Sequence, residues 1–391
     1  MKSFKWWQLR ACYGVFSAVA MLPFGAHAKD IFVAQVAPFG GPLAVSGRDF
    51  NLGALIAFDE VNASGGVAGN RLRLVSRDDG YRSAETVRLV SELVDKSGPT
   101  TPTTPTTPNA PIALIGMWGA ENIEAVVAKN LLVTSGIPVV GVRSGVAALR
   151  GNPSLFHVRG SYKDEIQRIA GQLQTIGSNR VAVIYEDNGF GREALADAQA
   201  ALLKNGLKPV AVAAQAPNDL KVDAAVNAIV AAQPQALLVA ANTPVAAAVI
   251  KALRAVNHSA LIFTPSTVDA EQLVASLGPL AAGVSVAQGV PNPYKAVTPI
   301  AREFQARIKS LGIDAARANF ASLEGYIVAR VVVEGLRRAN KNPSRQDLVR
   351  GLESLQRLDL GGFVIDFGAS QREGSRFVEL SLIGSDGRIR Q

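Results

Sequence analysis

Two kinds of apolar pattern alternate along this chain. Short runs of consecutive apolar residues are followed by longer stretches in which apolar residues recur every three or four positions. The first kind reads as strands covered on both faces and the second as amphipathic helices. Their alternation predicts βαβ units around a parallel sheet. Residues 31–37 are expected as a strand and 49–63 as a helix, with Leu52, Leu55, Ile56 and Val61 near helical spacing. Ser64-Gly65-Gly66 ends that helix, because glycine accepts the left-handed cap. A strand at 71–76, a helix at 83–96 capped by Ser83, a strand at 112–116, a helix at 121–135 and a strand at 137–142 continue the series.

A turn at Asn152-Pro153 and a connecting strand at 156–159 lead into a second series. Strands are expected at 180–186, 209–214, 236–241, 260–264 and 283–289, and helices at 164–176, 191–205, 222–232, 245–256 and 269–277. Two long helical stretches follow, 298–311 and 320–338. They need a sheet to cover, and the simplest arrangement returns them to the first one. Residues 362–367 and 377–383 alternate as antiparallel strands, with a turn at Ser385-Asp386-Gly387. The whole is an α/β chain in two lobes with a boundary near residue 157. Several chain crossings between the lobes form a hinge around a cleft.

One segment breaks the pattern. From Pro99 to Pro108 proline recurs every third residue with threonine pairs between. That density forbids helix and sheet and favours extended polyproline II. The segment joins a helix to the next strand, so it leaves the sheet at the end opposite the strands' carboxyl ends, where ligands bind. Residues 98–110 are accordingly expected to form a surface loop of the first lobe with no part in a site.

The first 28 residues differ again. Lys2, Lys5 and Arg10 precede an apolar run from Ala11 to Phe24, and Ala26-His27-Ala28 fits an A-x-A cleavage site. This is the pattern of an export signal cut after Ala28. The apolar run is short of the roughly 20 residues a membrane span needs; a membrane anchor is the alternative reading. The segment contains Cys12, the sole cysteine, so the exported chain would rest on core packing rather than disulfides. It also takes three of the 40 basic residues, lowering the formal charge from +8 to +5, and two of the three tryptophans, leaving Trp118. With 48% hydrophobic and 18% charged residues over 391 positions, the chain is not disordered, and its length suits two domains. The basic residues are scattered without interleaved aromatics, so no nucleic-acid partner is expected.

Catalytic and metal-binding constellations are missing from the sequence. There is no G-x-S-x-G elbow and no Walker loop, and beyond the leader only His157 and His258 remain, with no cysteine. No cofactor, metal or enzymatic activity is therefore expected. Gly189-Phe190-Gly191 fits a relaxed dinucleotide pattern, but the next strand runs into Gln215 without an acid for a ribose, which favours a plain tight turn. Asp78-Asp79 reads as a strand end capping the following helix rather than a cation site. What remain are small-residue loops after strands: 38–47, 118–122 and 143–145. Each leads toward a helix start, whose free N–H groups and dipole can hold a carboxylate. Gly119, Ala120, Ser144 and Gly145 would let a ligand approach the backbone. Trp118 offers an aromatic wall or reads as a core residue; Arg143 offers a planar donor fork or reads as a solvated charge.

Several motifs together resemble the periplasmic leucine/isoleucine/valine-binding family. They are Phe39-Gly40-Gly41-Pro42-Leu43-Ala44, Glu60-Val61-Asn62, Gly65-Gly66-Val67-Ala68-Gly69-Asn70, Asp78-Asp79-Gly80-Tyr81, the stretch from Val183 to Gly191, and Leu323-Glu324-Gly325-Tyr326. The likeness spans nearly all of the chain beyond the leader, except the threonine–proline segment. It implies a type I periplasmic binding fold: two doubly wound, Rossmann-like lobes joined by a three-segment hinge. The lobes would comprise residues 29–156 plus 290–358, and 157–289 plus 359–391. It implies a monomer in the periplasm that binds a small solute and delivers it to ABC permease subunits in the inner membrane. It places the ligand carboxylate on Trp118-Gly119-Ala120 and Ser144-Gly145, and an aromatic lid at Phe190. Ser266 stands where the family's amino-acid binders carry a glutamate for the ligand ammonium, which opens the choice to amino acid, amide or organic acid. A sensor with the same fold that contacts a receptor, and an exported α/β enzyme, are the other readings.

Overall fold

The protein is described by a computed structural model over residues 29–95 and 109–390. The expected export segment 1–28 with its expected cut after Ala28, and the threonine–proline repeat 99–108, lie outside the described residues.

The first half builds one parallel sheet. Its elements are β1 (Asp30–Ala37), α1 (Ala44–Ala63), β2 (Arg71–Asp78), α2 (Ser83–Asp95), β3 (Ala113–Ile115), α3 (Ala120–Ala128), α4 (Leu131–Ser135), β4 (Val139–Val140) and β5 (Leu155–Phe156). The spatial strand order is β2-β1-β3-β4-β5. Alternate residues of β1 enter different cores: Val33 and Ala37 pack with α1, Ala34 and Val36 with α2 and α3. Both faces are thus covered, as the unbroken apolar strands require.

The second half repeats the plan with α5 (Tyr162–Thr175), β6 (Val181–Glu186), α6 (Gly189–Leu203), β7 (Ala211–Gln215), α7 (Asp223–Ala231), β8 (Ala236–Ala240), α8 (Thr243–Ala255), β9 (Leu261–Thr264), α9 (Ala270–Leu277) and β10 (Val284–Gln288). Its parallel strands run β7-β6-β8-β9-β10, the same winding order as the first sheet. Then come α10 (Pro299–Ser310), α11 (Phe320–Arg337), α12 (Arg345–Glu353), β11 (Leu358–Asp359), β12 (Val364–Ile365), β13 (Glu379–Ile383) and β14 (Ile389–Arg390). The chain passes from one sheet to the other after β5, after β10 and before β13.

The long helices do return to the first sheet, and glycine makes the contact possible. A Cβ on Gly53 of α1 would lie 1.7 Å from the Ser322 carbonyl oxygen, and one on Gly325 of α11 would lie 1.9 Å from that of Phe50. The two backbones touch where side chains are missing.

Four expectations need correction. The helix expected at 49–63 begins at Ala44, so the glycine-rich loop after β1 is shorter than read. The helix expected at 121–135 breaks into α3 and α4 at Asn130, which takes a left-handed φ of 54°. Residues 155–156 are not a mere connection but the fifth strand, parallel to β4. The two late strands do not pair with each other. Val364–Ile365 pairs with Leu358–Asp359, while Glu379–Ile383 adds antiparallel to the open edge of β10 and turns through residues 385–387 into β14. Helix α12, not expected at all, starts from a capping box between Ser344 and Asp347.

Candidate functional site

The carboxyl ends of both sheets face one cavity of about 280 Å³. Loops after β2, β3 and β4 line it from one side, and loops after β6, β7, β8 and β9 from the other. Larger concavities, about 540 Å³ against β9, β10 and β13 and about 810 Å³ beside α10, lie away from these strand ends. The smaller cavity is singled out by its chemistry. Trp118, Asn122, Arg143, Ser144 and Arg159 all line it, and each carries a buried side-chain polar atom with no hydrogen-bond partner; no residue lining the two larger concavities does. Buried polar groups are normally paired, so these unpaired donors distinguish this cavity from the other two.

Local sequence fixes the frame. Asp78 at the end of β2 accepts from the backbone N–H of Phe39 (2.9 Å), Gly40 (3.1 Å) and Gly80 (2.9 Å), tying two loops together. Slight burial raises its carboxyl, and the three N–H donors outweigh that and hold it below the usual range. Asn188 after β6 and Asn242 after β8 cap their helices by accepting from Gly191 N–H (2.9 Å) and Val245 N–H (3.1 Å). Gly191 is required there: a Cβ would fall 1.8 Å from the Glu186 carbonyl oxygen. The glycine pair is thus a tight turn. Among the described residues no cluster of histidine, cysteine or acidic side chains could hold a metal ion.

Buried charge stands beside the cavity. Arg143, after β4, pairs through its backbone with the Trp118 segment and lays its guanidinium over the Trp118 ring, 4.2 Å from the centroid. Its Nη1 donates to Glu324 Oε2 at 2.5 Å. Arg159 Nε lies 3.8 Å from the other Glu324 oxygen, and its Nη2 donates to Ser266 Oγ and reaches Glu165 Oε1 at 3.5 Å. Burial pulls the Arg143 guanidinium down; around Arg159 the two carboxylates outweigh burial and hold it up. Burial pushes Glu165 up, against Arg159 and the Ser266 donors. Tyr162 and Phe190 meet edge to face at 4.7 Å between centroids.

The structure brings together seven of the eight residues expected from sequence: Trp118, Gly119, Ala120, Arg143, Ser144, Phe190 and Ser266 all line the cavity. Gly145 does not. A Cβ there would sit 2.6 Å from the Tyr162 backbone nitrogen, so its bareness admits Tyr162 rather than a ligand. One nitrogen of the Arg143 fork, Nη1, is spent on Glu324, and the Ser266 hydroxyl on Glu165 and Arg159. Tyr81, Arg159, Tyr162, Asn218 and Asn242 also line the site and were not expected. Asn242 had a visible signal, an asparagine between a strand and Thr243-Pro244, which is a helix start. Arg159 had none, because its burial depends on distant acids. The two halves touch around the cavity: Ser46 Oγ donates to Asp269, and Ala147 N–H donates to Glu193 at 2.8 Å.

A family model described as "Periplasmic binding protein" matches residues 30–378. The chain belongs to the periplasmic binding protein family. Among solved structures it is similar to a substrate-binding periplasmic protein from Ralstonia solanacearum, with 32% identity, 93% of this chain and 100% of that one covered, and a TM-score of 0.82. An extracellular ligand-binding receptor from Verminephrobacter eiseniae gives 31% identity, 93% and 100% coverage and the same TM-score. Among curated proteins, Leu/Ile/Val-binding protein homolog 7 of Brucella abortus is 27% identical over 209 residues, covering 49% of this chain and 48% of its own. The chain thus spans about half the length of the curated relatives it matches first. No helix among the described residues is long and apolar enough to cross a membrane.

Proposed function

We propose that this protein is the periplasmic solute-binding component of an ABC importer. It is exported with cleavage after Ala28, acts as a monomer, and hands a small polar or carboxylate-bearing solute to permease subunits in the inner membrane. The observation that carries this reading is the cavity between two sets of strand ends, lined by residues that carry unpartnered buried donors. The relatives' names, leucine/isoleucine/valine-binding and substrate-binding periplasmic, support it.

The two lobes close on the solute. A solute touching Trp118 and Ser144 on one side and Phe190 on the other binds the closed form alone and shifts the equilibrium toward it. Moving a 1:99 population to 99:1 takes about 5.5 kcal/mol of differential binding. We divide the lobes at 156 and 290 as the family pattern implies, but set the third crossing after residue 374 rather than 358. Supporting this, Phe367 packs edge to face on Phe156 with ring centroids 5.2 Å apart, and Gly374 N–H donates to the His157 carbonyl at 2.7 Å.

The test is small-angle scattering with calorimetry over a broad panel of solutes. A binding solute should contract the particle and be recovered unchanged. Chemical turnover of the bound solute, or the lack of any binder, would sink the proposal.

A further inference from the structure

We infer that the solute is a small organic monocarboxylate that carries no ammonium group. This rests on the binding reading above and narrows it.

The cavity wall is rich in donors to spare. Residues that line it carry buried side-chain atoms without a partner: Trp118 Nε1, Asn122 Nδ2, Arg143 Nε and Ser144 Oγ. The three nitrogens can only donate, and the hydroxyl can donate as well. Helix α3 adds more. Its N-cap is Gly119, which has no side chain to cap it, and its first internal bond is Ile123 N–H to Gly119 O at 3.2 Å. The N–H groups of Ala120, Glu121 and Asn122 therefore stand free at a positive helix end, and all three residues line the cavity.

Acceptors are the opposite case. Glu165 accepts from Ser266 N–H (2.8 Å), Ser266 Oγ (2.6 Å) and Arg159. Glu186 accepts from Asn218 N–H (2.9 Å), Asn242 N–H (2.6 Å) and Asn242 Nδ2 (3.0 Å). Glu324 is held by Arg143 and faces Arg159. An ammonium entering here would find every buried carboxylate already committed, and would have to break one of these sets to be paired. An unpaired buried charge is too costly to keep. A carboxylate meets the reverse situation, because its four lone-pair sites match donors that now lack partners. Of the three acids that line the cavity, Glu186 is buried and committed, and Glu121 and Glu124 are exposed at the rim. Tyr81, Trp118, Tyr162 and Phe190 leave an aromatic side for an apolar body. The volume falls at the small end of ligand pockets, which start near 300 Å³.

Matched pairs test the inference: 3-phenylpropanoate against phenylalanine and 4-methylpentanoate against leucine, with 3-phenylpropanamide as the neutral analogue. The protein is first unfolded in guanidinium, dialysed and refolded to remove any bound solute. By calorimetry at least one acid should bind, and bind at least 100-fold more tightly than its amino acid or its amide. Trp118→Phe keeps an aromatic ring and removes Nε1; it should weaken the acid about tenfold and the amide less than twofold. An amino acid or amide that matches the acid, or failure of every acid to bind, overturns the inference. The importer reading outlives either result if any solute in the broad panel contracts the protein in scattering, and falls only with that second measurement.

Discussion

Arg143 and Glu324 stand 181 positions apart in sequence and share a hydrogen bond of 2.5 Å, both side chains largely withdrawn from water. Arg143 hangs from the loop after β4, and Glu324 lies in the second turn of α11, which returns only after the chain has built the second sheet. The other Glu324 oxygen faces Arg159 at 3.8 Å, so one carboxylate offsets two guanidiniums beside the cavity. Glu324→Gln keeps the shape and removes the charge. Stripping one partner from a buried ion pair costs about 3–5 kcal/mol. Urea denaturation should show a loss of that order. A change within about 0.5 kcal/mol, the range of ordinary surface substitutions, would mean that these charges remain hydrated.

Gly325→Ala offers a test whose sign is decisive. In a helix interior alanine is favoured over glycine by about 0.5–1 kcal/mol. Here the new methyl would meet the Phe50 carbonyl oxygen at 1.9 Å, backbone that cannot swing aside as a flexible side chain would. Thermal unfolding should therefore show net destabilisation of about 1–3 kcal/mol, the usual cost of overpacking. A stabilised variant would show that α1 and α11 are not in backbone contact.

Much of this arrangement was legible in the sequence, for a definite reason. Strands such as Val181–Glu186 are apolar up to their last residue because both faces are covered, and the helix between each pair of them forces the next strand to be parallel. The loops at 118–122 and 143–144 were legible as cavity lining because strand order sends carboxyl ends to one crevice. Arg159, read only as the end of a connecting strand, was opaque: its place depends on Glu165, Ser266 and Glu324, up to 165 positions away. Helix α12 was missed because its apolar residues, Leu348, Val349 and Leu352, are few among charges.

Deleting residues 100–108 should leave solute affinity within about twofold, well inside a tenfold change worth 1.4 kcal/mol. The described chain stops at the end of α2 and resumes just before β3, at the amino edge of the first sheet. The cavity lies at the carboxyl edge. Calorimetry on the deleted protein checks this, and a large loss of affinity would place the segment near the cavity.

Trp118 supplies a built-in readout once residues 1–28, with Trp6 and Trp7, have been removed. Its ring is buried at the cavity wall beneath the Arg143 guanidinium, and its Nε1 has no partner. A solute that engages that nitrogen changes the polarity around the indole, so titration should shift its emission in parallel with calorimetric saturation. Tight binding with silent emission would remove Trp118 from the contact surface.

His157 should make the fold sensitive to acid. The residue is fully buried in the first crossing between the sheets, with Nε2 3.3 Å from the Leu149 carbonyl and Nδ1 unpartnered. Burial, with the nearby Arg150 charge added, pushes its pKa down from 6.5 to about 3. The folded protein therefore holds the ring neutral while the unfolded chain takes up a proton below 6.5. Stability from this group is complete above that value and is lost as pH falls from 6.5 toward 3, by at most about 1.4 kcal/mol per pH unit. His157→Gln abolishes the titration whatever it does to absolute stability. Urea midpoints from pH 7 to pH 4 should fall more steeply for the parent protein than for the variant. Parallel slopes would show that the imidazole is charged, or hydrated, in the folded state.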